Sequence, residues 1–564
     1  MIVGIDFGTS TSEIAFINGV GKPEVIANHL GEFVTPSVVY IDKDHKPIVG
    51  TPALEKFLLE PENTVIEIKR LLGKDEILTI RGRAYTPVDI ASYIVSYLVD
   101  CASKYSDQSV SGAVITVPAF STDAQRRATI SVGEKCGLKV ERLINEPTAA
   151  SLDYGIDRRA DCDKVLVYDF GGGTLDVTVL ELFEGVIEVE ASCGNNLLGG
   201  KDIDALLIDY IVNSIKKKDK VDITSDLNAM TRLKRVAEDC KIALSSEEVF
   251  DIDLPFLSTN KKGNPIGYTH EMPRSTFNEM ITELVESTAN QINSALKDAD
   301  LSRSDIDLVL LVGGTTKIPF VSSFLESELG IVPKSHHDPV LSVVRGAAIE
   351  AGIIEGRYDE DALVLTDVCP YSLSAEIIRQ IDMFETELFC DVLIKRNTTI
   401  PTTIRKIYHT AYDDQTIVGV DAYQGESEYA DENIFLGEVR LTGIPKGRAG
   451  KERIMVSFSY DLNGLLVVQA GVVSTGKNIS VEIDTANIAK EIDLETWRNA
   501  KDAKKYRSVI NKGDKILTAL DVNDALTNEI KESLTRLKRG LIAEAATDML
   551  DEIKDELLDL YGEI

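Results

Sequence analysis

Cysteine, histidine and tryptophan are scarce in this chain of 564 residues. The seven cysteines include no C-x-x-C pair, which argues against both a disulfide framework and a structural zinc site. The six histidines form no H-E-x-x-H or H-R-D motif, so the signatures of zinc peptidases and protein kinases are missing. The phosphate-binding motif G-x-x-x-x-G-K-[ST] and the G-x-S-x-G elbow are absent as well. A hydrolase or transferase built on this sequence must therefore use another plan.

The chain also has fewer positively charged than negatively charged residues. The chain has 60 Lys and Arg residues against 92 Asp and Glu residues, a net charge of -32. Such a field repels nucleic-acid phosphates and anionic lipid headgroups alike. No apolar run approaches the ~18 residues that a membrane span needs. We therefore expect no nucleic-acid partner, no membrane partner and a cytoplasmic protein.

The pattern of apolar residues changes along the chain and predicts a division into domains. Over 1–361, short apolar runs alternate with longer amphipathic segments, which is typical of an α/β domain. A linker at 362–368 leads to 369–485, where short alternating segments and tight turns such as Asn463-Gly464 predict an all-β sandwich. Over 486–564, leucines recur at spacings of three and four, which predicts amphipathic helices.

Two glycine-rich segments resemble each other, GIDFGT from Gly4 and YDFGGGT from Tyr168. Each follows an apolar strand with an Asp-Phe-Gly step and then a threonine, which indicates a duplicated lobe. Taken singly, such a turn is an ordinary hairpin, whereas two matched copies favour a polyphosphate held from both sides. Glycine lets backbone N–H groups approach an anion closely. The predicted phosphate cradle comprises Gly8, Gly171, Gly172 and Gly173, with hydroxyl groups from Thr9, Ser10 and Thr174.

Carboxylates beside these turns predict a magnesium site. Mg²⁺ in proteins usually keeps several waters, and Asp6, Asp169 and Asp176 are placed to hold it through them. A third glycine element, VGGTTK from Val312, follows another apolar strand and could pass close to a base or ribose.

Six motifs together resemble the seventy-kilodalton heat-shock family, the DnaK-like chaperones. The motifs are GIDFGTS from Gly4, AVITVPA from Ala113, INEPTAA from Ile144, DFGGGTLD from Asp169, LLGGKD from Leu197 and LVGGTTKIP from Leu311. The likeness continues through LVLTD from Leu363 and KRNTTIPT from Lys395. It implies a multidomain fold: an actin-like α/β ATPase domain of duplicated ribonuclease-H-like lobes, then an all-β sandwich, then an α-helical lid.

The resemblance also implies roles for individual residues. Lys69 corresponds to the lysine that orients the attacking water and Thr174 to the hydroxyl that helps to place it. Glu146 and Asp169 correspond to carboxylates near magnesium and the γ-phosphate, and with Asp6 they form the implied metal set. The further implied nucleotide contacts are Gly199, Gly200, Glu238, Lys241, Ser245, Gly313, Gly314 and Lys317.

The base pocket departs from the family pattern at four positions. Ile242 stands where the family has an arginine that stacks on adenine, and the opposing arginine is Lys317. Val340 replaces an aspartate, and Lys201 a glutamate. Loss of guanidinium stacking is worth about 1 kcal/mol, which predicts nucleotide binding several-fold weaker than is typical.

The resemblance implies a peptide groove, an interdomain relay and partner proteins. The implied groove residues are Ala375, Ile378, Tyr408, Ala411, Val418 and Val420, although apolar residues at a spacing of two are equally typical of plain core. The implied relay consists of Pro118, Arg126 and Asp367. Asp123, Arg126 and Arg142 match the surface that docks a J-domain co-chaperone, and a nucleotide-exchange factor is a further implied partner.

The function implied is ATP-dependent chaperone activity, in which hydrolysis of ATP is coupled to binding and release of extended hydrophobic peptides. The alternative is a divergent homologue with weak ATPase activity that serves as a regulatory or assembly scaffold. Small-molecule kinases and filament-forming proteins share the actin-like fold, but neither needs the linker, the sandwich or the helical tail.

Overall fold

The computed structural model describes most of the chain and divides it into two compact units, 1–486 and 487–564. The described residues are 1–155, 163–183, 186–260, 262–335, 338–358, 364–380, 386–482 and 503–519, with separate residues between 530 and 561. Among them, no helix has both the length and the apolar character that crossing a membrane requires. The cytoplasmic location stays a prediction.

The first unit begins with a mixed sheet of six strands. In spatial order the strands are Lys139–Asn145, Gly112–Val117, Ile2–Phe7, Thr11–Ile17 and Pro23–Val25, with Thr35–Pro36 paired to Thr11–Ile17. The helices beside it are Pro87–Ser106, Asp123–Lys135, Glu146–Gly155 and Ser342–Ile354. Thr86 and Thr122 each begin a helix with a capping box, in which side chain and backbone satisfy one another's hydrogen bonds. The core of this sheet and its helices is mostly aliphatic, with Phe7 and Tyr85 among its buried side chains.

A second sheet repeats this plan. Its five strands, in spatial order, are Leu308–Val312, Asp163–Phe170, Leu175–Phe183, Val186–Asn195 and Val364–Leu365. In both sheets a meander of three antiparallel strands has a parallel strand beside its first member. The helices of this half are Gly200–Asp219, Leu227–Ala243, Arg274–Ser287, Ala289–Asp298 and Pro319–Leu329. This shared topology agrees with the duplication that the two glycine motifs predict.

Smaller elements complete both halves of this α/β region. One small sheet consists of the strands Val39–Ile41, Pro47–Val49 and Thr64–Val65. Two hairpins are formed by Leu78–Ile80 with Arg83–Tyr85 and by Val249–Thr259 with Pro265–Pro273. The short helices are Thr51–Phe57, Pro61–Asn63, Ile68–Leu71, Arg303–Asp305 and Gly314–Lys317.

The predicted β-rich region forms two four-stranded antiparallel sheets. One contains Thr386–Ile394, Leu373–Gln380, Ile417–Gln424 and Ile434–Thr442, and the other Thr402–His409, Arg453–Tyr460, Leu466–Val472 and Lys477–Glu482. Alternate residues such as Val439, Leu441, Val456 and Phe458 are buried, as the period-two pattern predicts. The segment before these sheets, predicted as a linker, is itself paired: Val364–Leu365 adds to the second α/β sheet and Asp367–Val368 pairs with Thr399–Ile400.

The second unit contains the helix Ala503–Ala519. A cluster of buried apolar side chains in this unit includes Tyr506, Ile510, Leu534 and Leu557. Of the residues whose spacing of three and four predicts helix, the described ones are helical: Ile530, Leu534, Leu537, Ile553 and Leu557. The other residues of that pattern, and the predicted segment before residue 503, lie outside the described residues.

Candidate functional site

The two glycine-rich turns lie against each other in one cleft. A Cβ built on Gly172 would lie 2.3 Å from Oγ of Ser10, and one built on Gly199 would lie 2.4 Å from the backbone nitrogen of Gly173. At Gly199 the contact is with backbone, so glycine is required there, whereas a side chain at Gly172 would have to displace the Ser10 hydroxyl. The predicted residues that line one small cavity here are Asp6, Gly8, Thr9, Ser10, Lys69, Glu146, Asp169, Gly171, Gly172, Thr174, Gly313 and Gly314.

Carboxyl groups crowd this cavity. Asp6 accepts a hydrogen bond of 2.7 Å from Oγ1 of Thr116, and Asp169 lies opposite Asp176 in the second hairpin. Burial, followed by repulsion from Glu146, raises the pKa of Asp6 and of Asp176 to about 7. The same two causes raise the pKa of Asp169 well above its ordinary value. The site thus concentrates negative charge in a place from which water is largely excluded.

A divalent cation fits this donor set. Oδ2 of Asp169 is buried and has no hydrogen-bond partner among the described residues. A buried carboxylate is ordinarily paired, hydrogen-bonded or bound to a metal. Across the described residues, no three acidic, cysteine or histidine side chains converge closely enough to hold a metal ion by themselves. The arrangement therefore suits Mg²⁺ held through water and completed by phosphate oxygens.

Lys69 brings a positive charge to this cluster. It lies in the short helix Ile68–Leu71, and its Nζ is 2.5 Å from Oε1 of Glu146. Only about a tenth of either side chain is exposed, so the pair is weakly screened by solvent. Lys69 and Thr174 also line a second cavity together with Pro118. The predicted catalytic residues are therefore brought together.

A larger cavity of about 410 Å³ shares Thr9 and Ser10 with the phosphate cavity and is lined by one predicted base contact, Glu238. Its lining includes Glu238, Lys201 and Ile242, and the Ile242 side chain is largely exposed. Nζ of Lys201 lies 3.2 Å from Oε1 of Glu238, so the two residues pair with each other. The substitution at Lys201 therefore changes the partner of a predicted nucleotide contact, an effect that the sequence comparison did not anticipate.

Three other predicted contacts have partners elsewhere. Nζ of Lys241 lies 2.8 Å from Oδ1 of Asp204 and donates to the carbonyl oxygen of Gly200 at 3.0 Å. The Ser245 hydroxyl donates to the carbonyl oxygen of Lys241 at 3.1 Å. Lys317 pairs with Asp338 at 2.9 Å. These residues lie near the cleft, but their polar atoms already have protein partners.

The sequence reasoning missed Glu13, which lines the phosphate cavity and is buried. It lies directly opposite Asp6 in the first hairpin. A signal was present, because Glu13 is the one acidic residue in the strand Thr11–Ile17. A turn centred on residues 9 and 10 places residues 6 and 13 in register.

The predicted relay residues meet around Asn145. Arg126 donates to Oδ1 of Asn145 at 2.8 Å, and Nδ2 of the same asparagine donates to Oδ2 of Asp367 at 2.9 Å. Arg126 also donates to the carbonyl oxygen of Ala119, which follows Pro118. Burial raises the pKa of Asp367. Arg126 and Asp367, which are far apart in sequence, thus both hydrogen-bond to the side-chain amide of Asn145.

The β-rich region docks on the same surface. The predicted Asn463-Gly464 turn accepts a hydrogen bond from Arg126 at the Asn463 carbonyl, 3.2 Å away. The backbone N–H of Leu466 donates to Oδ1 of Asp123 at 3.2 Å. A second contact between the β-rich region and the α/β region is the ion pair of Arg396 with Asp298, the last residue of the helix Ala289–Asp298. As a result Asp123 and Arg126, two of the predicted J-domain contacts, are only 2% and 3% exposed.

The predicted peptide contacts differ in exposure. Ala375 and Val420 are buried, Tyr408 and Val418 are half-buried, and Ala411 is exposed, whereas the side chain of Ile378 lies outside the described residues. The Tyr408 hydroxyl donates to Oδ2 of Asp391 at 2.7 Å, and burial together with this carboxylate raises the tyrosine pKa.

Comparison with known proteins gives one consistent result. The model of the family described as Hsp70 protein matches residues 2–80 and 76–563. The chaperone protein DnaK of Thermotoga petrophila is 40% identical over 562 residues, which cover 99% of this chain and 92% of that protein. The protein of the same name from Nitrosopumilus maritimus is 41% identical over 498 residues, covering 88% of this chain and 77% of that protein.

Proposed function

Because the chain belongs to the Hsp70 family of ATP-dependent chaperones, we propose that the cleft between its two glycine turns binds ATP with Mg²⁺ and hydrolyses it. The observation that carries the proposal is the convergence of both turns, the buried carboxyl groups and Lys69 on one cavity. Hydrogen-bond donors on one side and a surplus of carboxylates on the other suit a triphosphate and its cation.

Each residue then has a definable task. Backbone N–H groups of the turns and the hydroxyl groups of Thr9 and Ser10 hold the phosphates. Bound Mg²⁺ would neutralise charge that develops on the phosphate oxygens. Lys69, which Glu146 holds in place, faces the transferred phosphoryl group as a fixed cation, where a charge-dispersed transition state gains most. The Thr174 hydroxyl places the attacking water.

Hydrolysis is proposed to act on the β-rich region through the shared asparagine. Pro118 lines a cavity with Lys69 and Thr174. The carbonyl oxygen of the next residue, Ala119, accepts a hydrogen bond from Arg126. Arg126 reaches both Asn145 and the docked turn at Asn463. A shift at Pro118 would therefore disturb a network that also holds Asp367. The network is contiguous from the carbonyl of Ala119 to the carboxyl group of Asp367.

The β-rich region is proposed to bind extended peptide segments. Its candidate contacts are Ala375, Ile378, Tyr408, Ala411, Val418 and Val420. An extended segment would hydrogen-bond through its backbone, with apolar pockets for alternate side chains. Since Ala375 and Val420 are buried here, their contact with a peptide requires the sandwich to rearrange. The finer architecture, actin-like lobes at 1–361, a linker at 362–368, a sandwich at 369–485 and a lid at 486–564, belongs to the same proposal.

The proposed partners are a J-domain co-chaperone and a nucleotide-exchange factor. Asp123 and Arg126 are buried under the docked β-rich region. A J-domain that binds these side chains would therefore compete with docking, whereas one that binds beside them would not.

The test is steady-state ATP turnover by the full chain, with and without an extended apolar peptide. Removing one preorganised charge or donor from a reacting centre costs on the order of 100-fold in rate. We expect Lys69→Ala and Thr174→Ala each to reduce turnover by about that factor, with Lys104→Ala, at an exposed position outside the phosphate cavity, as the control. Unchanged turnover in both variants contradicts the assignment.

The alternative of a regulatory or assembly scaffold is favoured by one observation, the pairing of Lys201 with Glu238, which occupies a predicted nucleotide contact. A scaffold should show no stimulation of ATP turnover by peptide, whereas a chaperone cycle should show it.

A further inference from the structure

Glu13 is a buried acid at the phosphate cavity to which the proposed mechanism gives no task. It belongs to the strand Thr11–Ile17, which runs antiparallel to Ile2–Phe7, and it lies directly opposite Asp6. Residues directly opposite in such a pair present their side chains on the same face of the sheet. Glu13 is 1% exposed and lines the same cavity as Asp6, Asp169 and Lys69.

One oxygen of Glu13 is unsatisfied. The Thr11 side chain hydrogen-bonds to the carboxyl group, but Oε1 is buried and has no hydrogen-bond partner among the described residues. The nearby cation, Lys69, already pairs with Glu146 at 2.5 Å. Leaving a buried carboxylate oxygen unpaired is costly, so a structure that keeps one ordinarily supplies it with a water, an ion or a ligand.

We propose that Glu13 is an additional residue of the magnesium site, which accepts hydrogen bonds from water molecules that the cation retains. This inference rests on the proposed nucleotide site. The water-mediated form follows from the several waters that Mg²⁺ keeps in proteins, and it agrees with the finding that no three acidic, cysteine or histidine side chains among the described residues form a metal-holding group. Hydrogen-bonded neighbours of this kind typically change metal affinity by about ten-fold or more.

The charge of Glu13 gives the proposal a distinctive signature. In the absence of a metal, burial and repulsion from Asp6 raise the pKa of Glu13 and favour its neutral form, so the residue contributes little to nucleotide binding and any remaining charge weakens it. With Mg²⁺ present, the Glu13 carboxylate strengthens the cation's contribution. A glutamate that only supports the fold would instead affect both conditions in the same direction. The difference between the two conditions therefore separates a metal-site role from a structural one.

The experiment is calorimetric titration of the full chain with ADP, once with Mg²⁺ and once with EDTA. The variant Glu13→Gln keeps the size of the side chain and removes its charge. We expect the gain in affinity that Mg²⁺ provides to fall about ten-fold, while affinity in EDTA stays equal or rises. Glu13→Asp, which keeps the charge on a shorter side chain, should retain an intermediate gain. Asp421→Asn, a change at a carboxyl group in the β-rich region, is the matched control and should leave the gain unchanged.

Circular dichroism of each variant confirms that it is folded before titration. An unchanged gain from Mg²⁺ in Glu13→Gln overturns the proposal, and so does an equal loss of affinity with and without the metal. Failure of the unaltered chain to bind ADP in the presence of Mg²⁺ is a different result, because it removes the proposed nucleotide site itself.

Discussion

Three acids on adjacent strands of one sheet in the β-rich region provide a test of the structure. Asp421 follows Val420 in the strand Ile417–Gln424 and lies opposite Glu438 in the next strand. Burial, followed by repulsion from Glu376 and Glu438, raises the pKa of Asp421 to about 7 from 3.8. The Tyr423 hydroxyl donates to Glu376 at 2.8 Å, so Glu376 has a partner. No hydrogen bond to the Asp421 carboxyl group is found among the described contacts.

The sign of the pH effect follows from this shift. Between about pH 4 and pH 7 the folded chain keeps Asp421 protonated, whereas the unfolded chain does not. The free energy of unfolding therefore falls as pH rises through this window. From pH 5 to pH 7 the change spans about two pKa units, which at 1.36 kcal/mol per unit is at most about 3 kcal/mol. Asparagine carries no charge, so Asp421→Asn should escape this loss.

Hydrogen–deuterium exchange in the strand Ile417–Gln424 measures the effect locally. Comparing variant with unaltered chain at the same pH removes the intrinsic pH dependence of exchange. We expect the protection of Asp421→Asn relative to the unaltered chain to grow by up to about 100-fold between pH 5 and pH 8. Asp431→Asn, at an exposed position of the same region, is the control and should show no such trend. A protection ratio that does not change with pH refutes the reasoning.

Three further predictions concern the proposed site and its coupling. Ile242→Arg should tighten ADP binding several-fold, since guanidinium stacking is worth about 1 kcal/mol; calorimetry against Ile242→Leu, which adds no charge, checks it. Arg126→Ala should abolish peptide stimulation of ATP turnover and leave basal turnover within about two-fold, because Arg126 lies in the relay and not in the phosphate cavity; the exposed Arg303→Ala is its control, and retained stimulation would count against the relay. Gly172→Ala should lower nucleotide affinity in calorimetry, because its Cβ would lie 2.3 Å from Oγ of Ser10; an unchanged affinity would mean that the turns do not hold the phosphates.

The sequence was informative where chemistry is written in short motifs. The repeated Asp-Phe-Gly step predicted two hairpins with one topology, and the structure shows them. Alternation of apolar residues likewise predicted the two sheets of the β-rich region. Both signals are local, because a turn and a strand are specified by residues that are neighbours in the chain. The spacing of three and four is local for the same reason, and the members of that pattern that are described, such as Leu534 and Leu557, are helical.

What the sequence did not provide depends on partners that are distant in the chain. Lys201 was identified as a substitution, but its pairing with Glu238 depends on how two helices pack. Asn145 belongs to the INEPTAA motif, but its position between Arg126 and Asp367 becomes visible only when three separate segments meet in the fold. The position of Glu13 opposite Asp6 could have been predicted from the turn between the two strands. The turn alone does not show that one oxygen of Glu13 has no hydrogen-bond partner among the described residues.

These long-range contacts bear on how the two proposed activities are joined. The arginine that holds the Asn463 turn also holds the asparagine that binds Asp367. Undocking the β-rich region would therefore remove one hydrogen-bond acceptor from Arg126 and expose Asp123, which now accepts from Leu466. A buried guanidinium that loses a partner must find water or another acceptor. Docking of the β-rich region and the local structure around Asp367 are thus linked, because both depend on the hydrogen bonds of Arg126. This link is the physical basis for expecting that a change in the phosphate cavity alters peptide binding.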